Sequence, residues 1–268
     1  MSEVAAYQRH RPGIYRRRIL IQGGDGWVRA DMEDDPHRYG VLLHHRDGIV
    51  TTAEAFPLRT PWDLCTVAAA QLSALVGMRL SPDPTAIFRH TAASRQCTHV
   101  FDTAGLAVAH AARGTLRREY EIEAPYWSPQ GPRELVLWRD GVEVLRWTVD
   151  GGAITSPEPY AGQGWQKMLR WARDAFVHRD DFEAIVVLRR ATMISGARTV
   201  SLDALDNAAQ TGHINGACHV FQPEVAPHAR RIPGSTLDFT DAAAKLLQDL
   251  DPSPGHSPRE ARHPRTAA

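Results

Sequence analysis

The chain has 268 residues, of which 43% are hydrophobic and 23% are charged, a composition typical of soluble globular proteins. Lysine plus arginine and aspartate plus glutamate both number 31, so no net positive charge attracts nucleic acid or an anionic membrane. Every apolar run is shorter than the roughly 20 residues that cross a bilayer, and the polar N-terminus lacks the apolar core of a signal peptide. The sequence therefore predicts a cytoplasmic protein with no nucleic-acid partner and no membrane partner.

The composition along the chain predicts one large folded domain. Residues 1–13 are polar and predict a flexible N-terminus, and residues 251–268 are rich in Pro, Ser, His and Arg and predict a disordered tail. The region 14–250 between them is long enough for a single α+β domain with a sizeable core. The cysteines are too few for a disulfide framework and predict reduced thiols. They are Cys65, Cys97 and Cys218.

The first half of the chain predicts four consecutive antiparallel strands followed by helices. Alternating apolar residues separated by turn signals mark the strands, and they cover Tyr15–Gln22, Trp27–Met32, His37–Arg46 and Ile49–Phe56. Helical spacing of apolar residues then predicts a helix over Trp62–Val76, a short helical piece ending near His90, and a second long helix that begins at Thr98 and ends near Arg113.

The second half of the chain repeats this order in outline. Strands are predicted over Leu116–Ile122, Glu134–Trp138, Val142–Val149 and Gly152–Thr155, with a further strand over Ala217–Phe221. Helices are predicted over Trp165–Phe176, Asp181–Arg190, Ser201–Ala209 and Asp238–Leu250. The fold class is therefore α+β, with antiparallel β-meanders packed by helices. The pattern fits two similar units, residues 14–114 and 115–180, and it also fits one antiparallel sheet covered by helices.

The helix predicted from Thr98 carries the densest set of reactive side chains. Residues three or four apart share a helix face, so His99, Asp102 and His110 lie on one stripe. Cys97 comes just before the first turn, where amide groups and the helix dipole favour a thiolate. This stretch is the predicted centre of a functional site.

The leading functional hypothesis is a lyase or isomerase that acts on a hydrophobic small molecule, aromatic or anionic, by acid–base chemistry. Histidine exchanges protons near neutral pH and a neighbouring aspartate fixes its tautomer. The predicted catalytic residues are His37, His99, Asp35 and Asp102. Two arginines are suited to holding an anionic group and a tryptophan to forming an apolar wall. The predicted substrate-binding residues are Arg59, Arg95 and Trp62.

Two alternatives stay open. Thiolate and imidazole are ligands for Zn or Fe, so Cys65, Cys97 and His99 fit a protein that binds a single metal ion or handles iron–sulfur clusters. The third hypothesis is a non-catalytic ligand-binding protein or assembly partner. The sequence leaves open whether any cofactor is used, and it leaves open the oligomeric state, with a homodimer among the options.

Four motifs are similar to those of an uncharacterised bacterial family, the domain of unknown function twenty-eight eighty-nine. They are Gly13-x-Tyr15-Arg16-Arg17-Arg18-Ile19, Glu33-Asp34-Asp35-x-His37, Arg59-x-Pro61-Trp62-x-x-Cys65 and Cys97-Thr98-His99-x-x-Asp102. Shorter resemblances continue through Leu137-Trp138-Arg139-Asp140-Gly141 to Gly216-Ala217-Cys218. The family label states no function, so the resemblance implies a soluble bacterial protein and adds no reaction.

Overall fold

The computed structural model describes residues 13–126, 131–165, 167–212 and 216–250. Within these ranges, eight strands form one antiparallel sheet. The strands are β1 (Ile14–Gly24), β2 (Trp27–Asp34), β3 (Arg38–Arg46), β4 (Ile49–Arg59), β5 (Arg117–Pro125), β6 (Arg133–Arg139), β7 (Val142–Asp150) and β8 (Ala153–Ser156). Their spatial order is β4-β3-β2-β1-β5-β6-β7-β8. The sheet confirms the predicted α+β class with antiparallel meanders.

Two of the turn signals between the predicted strands are Asp-Gly pairs, and both close hairpins. Asp47 and Gly48 between β3 and β4 both have positive φ, and so do Asp140 and Gly141 between β6 and β7. A two-residue hairpin turn with positive φ at both positions matches the right-handed twist of its strands, and glycine adopts that conformation without steric cost.

The two halves of the sheet join through β1 and β5, where Ile19 lies opposite Tyr120. Each half is a four-stranded meander, which is the arrangement that the repeated sequence pattern predicted. A relationship between residues 14–114 and 115–180, and the limits 14–250 for one domain, stay predictions. The predicted flexible N-terminus, except for Gly13, and the predicted tail 251–268 lie outside the described residues.

Helices cover one face of the sheet. The described α-helices are α1 (Cys65–Ala70), α2 (Ile87–His90), α3 (Thr98–Arg113), α4 (Met168–Ala175) and α5 (Arg179–Ser195). The helix α3 packs on β1, β2 and β3, and α5 packs on β5, β6 and β7. Fully buried residues such as Val41 and Leu43 on β3 and Phe101 and Val108 on α3 form the core between these layers.

The boundaries of α3 agree with the prediction. The helix begins at Thr98 and ends at Arg113, and Gly114 follows in the left-handed conformation with φ 66°, the common way for a helix to end. The predicted helix over Asp181–Arg190 is also confirmed as part of α5.

The predicted helix over Asp238–Leu250 was wrong, because this segment uses its backbone groups in tertiary contacts. A 3-10 turn over Ala243–Lys245 is its described helical structure. The backbone N–H of Leu247 donates to the Glu33 carboxylate at 2.7 Å, and Leu247 itself has a positive φ of 56°. An α-helix cannot form where these groups are bonded to the sheet.

Three other predictions need correction. The predicted helix from Trp62 begins at Cys65 and continues from Gln71 as a 3-10 helix. The predicted helix over Ser201–Ala209 is instead two 3-10 turns, Leu202–Ala204 and Ala208–Thr211. The predicted strand over Ala217–Phe221 is a series of turns, since the Phe221 N–H donates to the Cys218 carbonyl and the Gln222 N–H to the His219 carbonyl. In the part of the chain that the structure describes, no helix has the length and apolar character to cross a membrane.

Candidate functional site

The site begins at the corner between β2 and β3. The Asp34 backbone N–H donates to the His37 carbonyl at 2.9 Å, and the His37 N–H donates to the Asp34 carbonyl at 3.3 Å. This tight turn directs both side chains toward the face that α3 covers. His99, in the first turn of α3, lies above them and stacks on His37.

Asp34 is fully buried and both of its carboxylate oxygens accept hydrogen bonds. The Tyr15 hydroxyl donates to Oδ2 at 2.6 Å, and the Arg17 guanidinium donates to the same oxygen at 2.6 and 3.1 Å. On the other side, His37 Nδ1 lies 2.9 Å from Oδ1. Burial acts to raise the pKa of Asp34, but His37 and Arg17 outweigh it and hold this pKa well below its ordinary value. Asp34 is therefore a carboxylate at neutral pH.

The two imidazole rings stack with their centroids 3.6 Å apart and their planes inclined by 29°. Burial lowers the pKa of His37, against the attraction of Asp34. Burial also lowers the pKa of His99, and the neighbouring His37 and Arg17 act in the same direction. Both rings are thus neutral at pH 7, the form in which a histidine binds a metal or accepts a proton. His99 Nε2 is buried without a hydrogen-bond partner.

Asp34, His37 and His99 form a potential ligand set. Each offers one oxygen or nitrogen, and these three atoms lie within 4.8 Å of one another. It is the one such group of three or more His, Cys, Asp or Glu residues in the described ranges. Two histidines and one carboxylate form the facial set that holds iron in non-haem sites, and the same donors bind zinc.

A cavity of about 70 Å³ lies beside His99. Its lining includes Asp102, Arg17, Arg189 and Arg190, and apolar residues such as Phe88 complete it. Pockets for drug-sized ligands are roughly 300–1,000 Å³, so this cavity suits an ion with a few waters or a very small anion.

The four predicted catalytic residues are only partly brought together. His37 and His99 stack. The carboxylate that bonds to His37 is that of Asp34, and not that of Asp35 as predicted. Asp35 instead forms a buried ion pair with Arg198, and burial raises its pKa to about 7 although Arg198 acts to lower it. Asp102 shares the cavity with His99, but its carboxylate pairs with Arg190 of α5 at 3.1 Å.

The predicted substrate-binding residues lie away from the cavity lining. Arg59 donates to the Glu33 carboxylate at 3.0 Å and to the carbonyl groups of Asp34 and His37 at 2.7 and 3.1 Å, so it stabilises the corner. Arg95 is exposed in the turn before α3. Trp62 is buried in a small second core, where its ring contacts the edge of Phe221.

The proposed thiol ligands do not gather around His99. Cys65, Cys97 and His99 are not a group whose ligand atoms all lie within 4.8 Å. Cys65 and Cys97 face the Tyr39 hydroxyl, and Cys218 lies close enough to raise the pKa of Cys65. His110, on the same stripe as His99, is buried against Glu183, with His110 Nε2 2.7 Å from Oε1. It belongs to a structural ion-pair network.

Sequence reasoning missed three residues of the site: Asp34 as the partner of His37, and Tyr15 and Arg17 as the partners of Asp34. Strand alternation offered a signal, since Asp34 shares the face of Met32 at the end of a predicted strand. The register that sets Arg17 opposite Asp34 has no local signature in the sequence.

A comparison of the chain with known protein families finds no matching family model. A comparison with curated proteins finds no match either. The resemblance to the uncharacterised bacterial family stays a prediction.

Proposed function

We propose that this protein binds one divalent transition-metal ion, iron or zinc, through Asp34, His37 and His99. The observation that supports the proposal is the convergence of one ionised carboxylate and two neutral imidazoles at ligand distance in a buried site. Neutral imidazole and ionised carboxylate are the protonation states that metal binding requires, so little proton release opposes binding at pH 7.

The contacts of Asp34 suit a monodentate ligand. Tyr15 and Arg17 hold Oδ2, which fixes the carboxylate with Oδ1 toward the histidines. Hydrogen bonds to the outer oxygen of a ligand carboxylate orient it and tune the metal. Oδ1 and His37 Nδ1 are 2.9 Å apart, close to the roughly 3 Å that separates neighbouring ligands at metal distances near 2.1 Å. A metal ion would take the place of the proton that these two atoms share, and His37 would then carry its one ring proton on Nε2.

Three protein ligands leave coordination positions for water or a substrate, as in catalytic metal sites. These positions would face the arginine-lined cavity, where Arg189 donates to the Trp165 carbonyl and its positive charge favours an anionic group. The proposed substrate is accordingly a small anion, such as a carboxylate, and the metal would polarise it or activate a bound water. A cytoplasmic location belongs to the same proposal, since all three cysteines are free thiols.

The test is Co²⁺ titration of the purified, chelator-treated protein, followed by calorimetry and by the visible absorption of bound Co²⁺. We expect one equivalent of Co²⁺ to bind with the weak visible absorption of oxygen and nitrogen ligands, and we expect Asp34→Asn and His99→Gln each to weaken this binding by more than the roughly 10- to 100-fold that loss of an outer partner costs. His45→Gln is the matched control, because His45 lies on β3 outside the ligand group. Equal affinities of His99→Gln and the unmodified protein would contradict the proposal.

A second candidate, the acid–base lyase or isomerase, is favoured by the bond between His37 and Asp34. If Asp34 holds the proton on Nδ1, His37 Nε2 is free to accept a proton from a substrate. The test is hydrogen–deuterium exchange into small 2-oxo acids in D₂O, followed by NMR with metal removed. Exchange that His37→Gln abolishes would support this candidate, and exchange in neither protein would count against it.

A further inference from the structure

All three cysteines of the chain meet in one buried region. Cys65 begins α1, Cys97 immediately precedes α3, and Cys218 lies in a turn near the C-terminal end. Each side chain is buried, with 6%, 6% and 9% of its residue surface exposed. Each of the three possible pairs is close enough for the charge on one thiolate to raise the pKa of another.

Specific contacts bring these distant segments together. The His219 N–H, next to Cys218, donates to the carbonyl of Gln96, next to Cys97, at 3.0 Å. The Gln222 side chain donates to the Ser94 carbonyl at 3.0 Å. Cys65 and Cys218 also pack in the same small hydrophobic core. The grouping is therefore a built feature of the fold.

A buried polar group points into the cluster. Tyr39 is fully buried, and its hydroxyl lies against the thiols of Cys65 and Cys97 without a hydrogen bond of standard geometry to either. Burial raises the pKa of this hydroxyl well above its ordinary value, and the neighbouring Cys97 and Cys65 raise it further, so the hydroxyl keeps its proton. A thiol sulfur is a weak hydrogen-bond acceptor. An anionic sulfur would accept the hydrogen bond of Tyr39 better than a thiol does.

We propose that Cys65, Cys97 and Cys218 form a second metal site, for a soft ion such as Zn²⁺ or Cu⁺, with the Tyr39 hydroxyl donating to a bound thiolate. Thiolates select such ions, and three thiolates with Zn–S distances near 2.3 Å complete most of a tetrahedral shell. Each thiol that binds gives its proton to solvent.

Backbone groups favour the thiolate at Cys218. Burial raises the pKa of this thiol to about 11, and the N–H groups of Val220 and Phe221 act against that rise. Amide donors of this kind stabilise metal-bound sulfur.

The three sulfur atoms do not all lie within 4.8 Å of one another. Binding by all three must therefore draw them closer together. Binding should consequently protect Cys218, the most exposed of the three, from alkylation.

The site is tested with Cd²⁺ as a probe in the reduced, chelator-treated full chain. Thiolate bound to Cd²⁺ gives a charge-transfer absorption in the ultraviolet that imidazole and carboxylate do not give. We expect one equivalent of Cd²⁺ to produce this band, to be displaced by Zn²⁺, and to slow alkylation of Cys218. Each of Cys65→Ser, Cys97→Ser and Cys218→Ser should weaken Cd²⁺ binding by more than 100-fold, and Tyr39→Phe by roughly 10- to 100-fold.

Two further measurements separate this site from the histidine site. His99→Gln should lose the Co²⁺ site and keep the Cd²⁺ charge-transfer band, while Cys218→Ser should lose the band and keep the Co²⁺ site. Circular dichroism melts establish that each variant is folded, and His45→Gln is the neutral control. Absence of the band in the reduced protein, or unchanged Cd²⁺ affinity in Cys218→Ser, would overturn the proposal.

Discussion

At the residue scale, the Tyr15 hydroxyl donates a hydrogen bond, 2.6 Å long, to Asp34 Oδ2. We expect Tyr15→Phe to weaken Co²⁺ binding by roughly 10- to 100-fold, because removal of a partner that orients a ligand costs about this much. The ring stays, so the core packing of the buried Tyr15 is retained. Calorimetric titration measures the change in affinity.

Tyr160→Phe is the control for this substitution. Tyr160 packs among aromatic rings, 5.7 Å from Trp147 between centroids, and lies outside the ligand group. Its loss of a hydroxyl should leave the Co²⁺ affinity unchanged. The role of Tyr15 is disproved if the two variants bind Co²⁺ equally well.

The same residues show what could be predicted from sequence at this scale. His37 and His99 stand out by chemistry and by helical spacing, and the structure brings them together. Asp34 was not separated from Asp35 because the strand was predicted to end at Met32, although alternation continued past Met32 places Asp34 on the face of Met32. The strand continues to Asp34, and alternation turns Asp34 toward the helices. Asp35 follows the strand in the turn and pairs with Arg198.

At the element scale, α3 packs unusually close to the segment before it, and Gly105 makes this possible. A Cβ added at Gly105 would lie 2.3 Å from the Pro84 carbonyl oxygen, a backbone atom. We therefore expect Gly105→Ala to lower the free energy of unfolding by roughly 1–3 kcal/mol, the usual cost of overpacking. Urea denaturation measures this change.

Gly196→Ala provides the comparison. Gly196 at the end of α5 has a helical φ of −61°, and no atom lies within 4 Å of an added Cβ. Alanine should be neutral or slightly stabilising there, since it restricts the unfolded chain. An equal loss of stability in both variants would argue against the close approach of α3 to Pro84.

Elements with strong local signals were predicted well. The apolar spacing and the following Gly114 indicate where α3 begins and ends, and Asp-Gly turns indicate two hairpins. The segment after Asp238 also has helical spacing, but its groups bond to distant partners, such as Leu247 to Glu33 and Asp249 to Arg38. Tertiary hydrogen bonds override a local preference worth a fraction of a kcal/mol per residue.

At the scale of the whole molecule, the candidate sites depend on contacts between segments far apart in sequence. Arg17 meets Asp34 through the pairing of β1 with β2, and Cys218 meets Cys97 through a loop that follows α5. Local periodicity contains no information on such pairings. The sequence alone therefore predicted most strands and the long helices, but only part of each site.

Arg198 contacts three other segments of the molecule, and its removal should destabilise the whole fold. It pairs with buried Asp35 and with Asp238, the latter at 2.9 Å, and it donates to the Ile14 carbonyl and to Thr240. Arg198→Met keeps much of the side-chain volume and leaves Asp35 unpaired. Breaking a buried pair in this way costs about 3–5 kcal/mol.

This cost should increase with pH. In the unmodified protein the pKa of Asp35 is about 7, and without Arg198 burial alone should raise it further. Below pH 7 Asp35 is largely protonated in both folded proteins. The loss of stability then comes mainly from the contacts of Arg198 with Asp238, Ile14 and Thr240. Above pH 7 the unmodified protein releases this proton and the variant retains it, while the unfolded chain is ionised above about pH 4 in both cases. Destabilisation by Arg198→Met should therefore be larger at about pH 8 than at about pH 6, as urea denaturation at the two pH values would measure.

Arg146→Met, which removes an exposed arginine paired with Glu143, should cost less than about 1 kcal/mol at either pH. A cost for Arg198→Met that is the same at both pH values would show that the Asp35 carboxylate does not depend on Arg198.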